Sequence, residues 1–225
     1  MAESSLMQVE DRASLLRRVA VLLVEESLAE PHTPSAVEET VRLSHAMARF
    51  VIDEPDAMAA FRRLLAGGKS RSSHSVNVSM LSLGMAQAMG FSSQNHLMLV
   101  VLAGFLHDIG YPSNARYRER KTNNPGHCIR GGRILEEMRL PPEIVKVAQQ
   151  HHERADCSGY PARLGRSEIH PLAMIVGFAD VFEDMRCANG GRLGVHDCLR
   201  IMNSVYRSCF QQEAYDGFVR FLEST

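Results

Sequence analysis

Apolar residues recur at helical spacing along most of the chain. From 13 to 29, Leu15, Leu16, Val19, Leu22, Leu23 and Leu28 lie opposite Arg17, Arg18, Glu25 and Glu26, which predicts an amphipathic helix. Pro31 and Pro34 break it; further helical patterns follow over about 35–50 and 55–65, and Gly67 and Gly68 end the segment. Beyond them Val78, Leu81, Met85 and Met89 mark one helix face, Gly90 is its expected left-handed stop, and Ser92 or Ser93 can cap the next helix. An apolar run over 97–106 leads into His107 and Asp108, and a polar, Asn-rich loop follows. Later helices are expected at about 128–138, 142–154 (proline in the first turn), 171–187, 195–208 and 211–222. No segment alternates as a strand, so the fold class is all-α. The expected division is a small N-terminal helical region over 1–68, a candidate dimerisation or regulatory element, and a chemistry-bearing domain over 69–225.

The run over 97–106 is about half of what spans a bilayer, so no membrane segment is expected. The N-terminus carries acids and lacks the basic start and apolar core of a secretory signal. Five cysteines without a CxxC pair point to reduced thiols. These features together read as cytoplasmic. A formal net charge of -1, with 45% hydrophobic and 23% charged residues, offers no basic surface for DNA. An anionic ligand therefore needs local positive charge, from metal ions or from the arginines that greatly outnumber Lys69, Lys121 and Lys146.

Chemistry concentrates in a few segments. GFLHDIG puts His107 and Asp108 side by side at the end of an apolar helix, where a neutral imidazole and a carboxylate suit iron, manganese or zinc. An HD dipeptide alone is weak evidence. Its company strengthens it: GHCIRGG supplies His127, QQHHE supplies His151 and His152, and GFADVF places Asp180 in an otherwise apolar helix. A desolvated carboxylate there costs several kcal/mol unless it is paired or metal-bound. Histidines 32, 45, 96, 170 and 196 fit solvent-facing positions without a role.

Taken together, these segments resemble the HD-GYP domains, bacterial HD-superfamily phosphodiesterases of cyclic di-GMP. The resemblance covers about 70–185 through HSVNVS, LHDIG, HCIRG, HHERADCSGYP and FADVFEDM. It implies an HD-type helical bundle in which Asp108 bridges two metals. His74, His107 and Asp180 would complete one coordination sphere, and His127, His151 and His152 the other. It further implies iron, with manganese a frequent substitute, and a hydroxide between the metals attacking phosphorus to give pGpG and/or GMP. His107 and Asp108 are then the catalytic pair. Gly159, Tyr160 and Pro161 would line the substrate face or dock partners, GGDEF-type proteins among them.

Departures concern the substrate pocket. Tyr111 stands where the family usually has lysine, so Lys121, Arg116 or Arg118 would have to supply the charge that contacts a phosphate. Ser70 replaces a glutamate that recruits a third metal in some members, Cys157 replaces a glycine, and Met174 an arginine. The expected function is cyclic di-GMP hydrolysis. The alternatives are a weakly active or inactive metal-bound module that binds the nucleotide or docks a diguanylate cyclase, and a phosphohydrolase of another cyclic dinucleotide or nucleotide. A homodimer through the first helix is the expected assembly.

Overall fold

The computed structural model describes residues 7–65, 70–112, 125–187 and 193–223. Among them are ten helices and no strand; the nearest to sheet is an isolated antiparallel bridge between Asp156 and Gly165. The helices are α1 (Val9–Ala29), α2 (Pro34–Asp53), α3 (Ala57–Arg63), α4 (Arg71–Ala88), α5 (Gln94–Leu106), α6 (Gly126–Glu137), α7 (Pro142–Gln150), α8 (Pro171–Cys187), α9 (Val195–Val205) and α10 (Gln212–Glu223).

α4 is the axis of the bundle. It packs against α1, α5, α8 and α10, so even its polar residues Ser72, His74, Ser75, Asn77, Ser79 and Ser82 are buried. Its start is fixed by Ser70, whose Oγ accepts from Ser73 N at 3.1 Å. Its end is Gly90 at φ +94°, the left-handed stop expected from sequence. α5 is apolar all round, as a helix covered by α2, α4, α7 and α8 must be. An aromatic cluster within the core joins α8 to α10, with the Phe218 ring centroid 5.1 Å from Phe178 and 4.6 Å from Phe182.

The expected boundary at Gly67 and Gly68 lies outside the described residues. On both sides of it, Met47, Phe50 and Phe61 share one continuous core with Leu81, Leu97 and Phe182. Several helix ends differ from the periodicity: α2 runs on to Asp53 and α9 stops at Val205. α1 begins at Val9, earlier than its apolar stripe. α7 ends at Gln150, because the chain turns at His151 and Glu153 is drawn into a loop whose backbone it binds. No helix among the described residues is long and apolar enough to cross a membrane.

Candidate metal centre

α4, α5, α6, α7 and α8 each bring polar side chains to one buried point. His74 comes from the first turns of α4, His107 and Asp108 follow the last turn of α5, and His127 and Cys128 open α6. His151 and His152 follow the last turn of α7, and Asp180 sits mid-way along α8. All are buried except His152, whose side chain is 14% exposed.

Backbone carbonyls set the imidazole tautomers. His107 Nδ1 lies 2.8 Å from Gly104 O, and His151 Nδ1 lies 3.1 Å from both Val147 O and Ala148 O. A carbonyl only accepts, so each Nδ1 donates, and each Nε2 is left to present a lone pair inward. His107 Nε2 makes no hydrogen bond, yet lies 3.3 Å from Asp108 Oδ2 and 3.7 Å from Asp180 Oδ1. Across from it, Asp108 Oδ1 is 3.5 Å from His151 Nε2 and 3.7 Å from His127 Nε2, and these two nitrogens are 3.3 Å apart. His74 Nε2 is 3.0 Å from Asp180 Oδ1. The ligand-type atoms thus fall into overlapping groups: His74, His107 and Asp180; His107, Asp108 and His151; and His127, Cys128, His151 and His152. Asp108 faces both sides.

This arrangement is built for cations. Two buried carboxylates with inward-facing imidazoles are stable only if positive charge lies among them. Without a metal, a proton takes that place: burial opposes the His107 cation, but Asp108 and Asp180 outweigh it and raise His107 to about 10. His152 is held well below the usual histidine range by burial and by its neighbour His151, which keeps it neutral and able to ligate. The donor set, imidazole and carboxylate with one thiol, fits divalent iron, manganese or zinc.

Close backbone approach holds the segments together. A Cβ on Gly110 would fall 1.9 Å from His127 O, one on Gly177 2.3 Å from His151 O, and one on Gly159 2.5 Å from His152 O. Gly159 is therefore buried under the HHE turn. Glu153 reaches outward from that turn to accept from Ala162 N at 2.6 Å and Leu164 N at 2.9 Å, tying the GYP segment to the centre. Tyr160 is half-buried, not exposed, and its ring lies on His152 at 4.7 Å; Pro161 beside it is also half-buried. Cys157 has φ +62°, in the left-handed region that favours glycine. Tyr111 is buried and stacked on His127, with centroids 4.1 Å apart and planes within 12°. The Arg71 guanidinium lies over the same ring at 5.7 Å and donates to Pro112 O at 2.9 Å. Lys121, Arg116 and Arg118 lie outside the described residues. His32, His45, His96 and His196 are exposed, His170 is half-buried, and none joins these groups.

A family model described as HD domain matches residues 26–211. The chain belongs to the HD domain family. It is 30% identical over 143 residues to a cyclic di-GMP phosphodiesterase of Pseudomonas aeruginosa, covering 59% of this chain and 34% of that one. It is 29% identical over 159 residues to a 3'3'-cGAMP-specific phosphodiesterase of Vibrio cholerae, covering 65% of this chain and 37% of that one. The chain thus spans little more than a third of the length of these relatives. Among solved structures, an HDG"Y"P protein from Bdellovibrio bacteriovorus superposes with a TM-score of 0.84 at 18% identity, over 99% of this chain and 75% of that one. At that identity the likeness is one of fold, and it extends across α1–α3 as well as the HD core.

Sequence reasoning missed three residues of the site. Cys128 and Glu153 sit inside the HCIRG and HHE segments without a role legible from sequence, and Arg71 lies outside every motif.

Proposed function

We propose that this HD domain is a two-metal phosphodiesterase of cyclic dinucleotides, with cyclic di-GMP the first candidate and pGpG and/or GMP the products. The observation that carries this reading is Asp108, which presents Oδ2 to His107 and Oδ1 to His127 and His151. In this reading His74, His107 and Asp180 would hold one cation, His127, His151 and His152 the other, with Asp108 shared between them. Iron is the expected metal and manganese the substitute. When bound, such a pair supplies Lewis acidity for the phosphoryl oxygens and lowers the pKa of water. The similarity to phosphodiesterases of cyclic di-GMP and 3'3'-cGAMP supports a cyclic dinucleotide as substrate.

The chain's own residues have three tasks. The carbonyls of Gly104, Val147 and Ala148 orient His107 and His151 so that Nε2 of each faces the site where a cation would be held. Buried walls from α5 and α8 exclude bulk water, which strengthens each charge interaction inside. Arg71, over Tyr111, donates to Pro112 O and Asp108 O, and so braces the segment that carries the carboxylate facing both sides.

The burial of Tyr111 favours a second reading. With the usual lysine absent and its replacement packed on His127, the domain would bind metal and turn over weakly, serving as a docking module for GGDEF-type proteins through Tyr160 and its loop. Leu15 and Leu22, 48% and 68% exposed on α1, support dimerisation through that helix, the role proposed for residues 1–68. A substrate panel separates the readings. Cyclic di-GMP, 3'3'-cGAMP and cyclic di-AMP are incubated with iron- or manganese-loaded protein and the products resolved by chromatography. Linear or mononucleotide products from cyclic di-GMP support the enzyme reading; preference for another member moves the substrate assignment; no hydrolysis of any leaves the docking reading.

A further inference from the structure

We propose that Cys128 is a thiolate ligand of the metal on the His127 side, giving that site a sulfur donor beside His127, His151, His152 and the bridging Asp108. The inference rests on the two-cation reading above and adds to it a ligand outside the imidazole and carboxylate set.

The geometry is that of a shared ion. Cys128 Sγ lies 3.4 Å from His127 Nε2, and His127 Nε2 lies 3.3 Å from His151 Nε2. Metal–nitrogen bonds of about 2.1 Å and metal–sulfur bonds of about 2.3 Å place cis nitrogens about 3.0–3.4 Å apart and a nitrogen and sulfur about 3.1–3.6 Å apart, from right-angled to tetrahedral geometry. Both observed separations fall inside these ranges. With His152 included, all four ligand atoms lie within 4.8 Å of one another. Closing the widest allowed gap to about 3.6 Å takes at most about 1.2 Å of side-chain movement.

A buried cysteine usually serves as a small apolar filler. Cys128 is fully buried, but its sulfur faces three histidines instead of hydrocarbon. It also stands in the first turn of α6, where the helix N-terminus favours an anionic sulfur. Without a metal, burial and then the carboxylates Asp108, Asp180 and Glu153 hold it as a thiol. On coordination the sulfur–metal bond replaces S–H and the proton leaves to solvent. A sulfur donor shifts the site's preference towards iron, cobalt and zinc, away from oxygen-seeking magnesium or calcium.

The test is cobalt(II) titration of the full-length, metal-free chain under anaerobic conditions. The expected result is a near-ultraviolet thiolate-to-cobalt charge-transfer band in the wild type. Cys128→Ser should lose the band and bind one of its two cobalt ions at least ~10-fold more weakly, a loss no smaller than that for an outer-shell partner. X-ray absorption of the wild-type cobalt protein reads the same bond without any variant, as one sulfur at about 2.3 Å. Cobalt bound with no sulfur contribution overturns the proposal and leaves the two-cation reading intact. A band that persists in Cys128→Ser overturns it in favour of another cysteine, and a wild type that binds no cobalt removes both readings.

Discussion

The contact between Gly110 and the start of α6 offers a quantitative test of how the centre is assembled. In Gly110→Ala the new Cβ would lie 1.9 Å from His127 O, 2.4 Å from Gly131 N and 2.9 Å from Gly131 Cα, all backbone atoms. Restoring ordinary contact at 3.4 Å requires the first turn of α6 to retreat by about 1.5 Å. Overpacking of this kind costs about 1–3 kcal/mol. The hydrogen bond that Arg130 Nε donates to Gly110 O spans the same gap and is lost with it, for about 1 kcal/mol more. A total of about 2–4 kcal/mol is therefore expected. Because ligand distances tolerate only about 0.2 Å, the same retreat should remove the His127-side metal while leaving the His74 and Asp180 side occupied. Gly131→Ala is the control, since its Cβ would meet nothing nearer than 3.3 Å and should cost under about 1 kcal/mol. Urea denaturation of the metal-free proteins, with metal analysis of the loaded ones, reads both effects. A Gly110→Ala protein within about 0.5 kcal/mol of wild type and with full metal content would refute the reasoning.

Other perturbations act on single links of the centre. Asp108→Ala removes the carboxylate facing both sides and should release both metals, as metal analysis would show; retention of both would contradict the bridging assignment. Glu153→Ala leaves Ala162 N and Leu164 N without their acceptor and should cost about 2 kcal/mol, with faster proteolysis within 153–165; unchanged proteolysis would mean the loop is held by other contacts. In the metal-free protein the folded-state value of His107 is raised from 6.5 to about 10, so its contribution to stability is complete below pH 6.5 and is lost as pH rises through about 10. Metal loading displaces that proton, so denaturation midpoints should fall with rising pH more steeply in the metal-free than in the loaded chain; equal slopes would argue against the assignment.

How much of this was legible in the chain depends on whether the signal was local. The all-α class followed from apolar spacing, and the span of α8 was read to the residue because Pro171 opens it and the apolar stripe runs through to its end. α1 was read short because Val9 alone extends its stripe, and α7 was read long because the turn at His151 is imposed by Glu153 contacts with residues nine and eleven positions away. The histidines and aspartates were visible because charge and imidazole in apolar segments are rare. Their grouping about Asp108 came from the family resemblance alone, since residue spacing does not give it. Cys128 carried no sequence signal, since a thiol in an amphipathic helix reads as core. The contacts of Tyr111 with His127 and Arg71 join segments distant in sequence, and no local pattern announces them.

The central claim is a two-metal phosphodiesterase centre about Asp108, and metal content measured on anaerobically purified protein, followed in the same sample by cyclic di-GMP turnover, tests it most directly. The account predicts two metals per chain, iron foremost, and conversion of cyclic di-GMP to pGpG or GMP. A protein that holds no metal under these conditions, or that holds two and hydrolyses no cyclic dinucleotide, would contradict it.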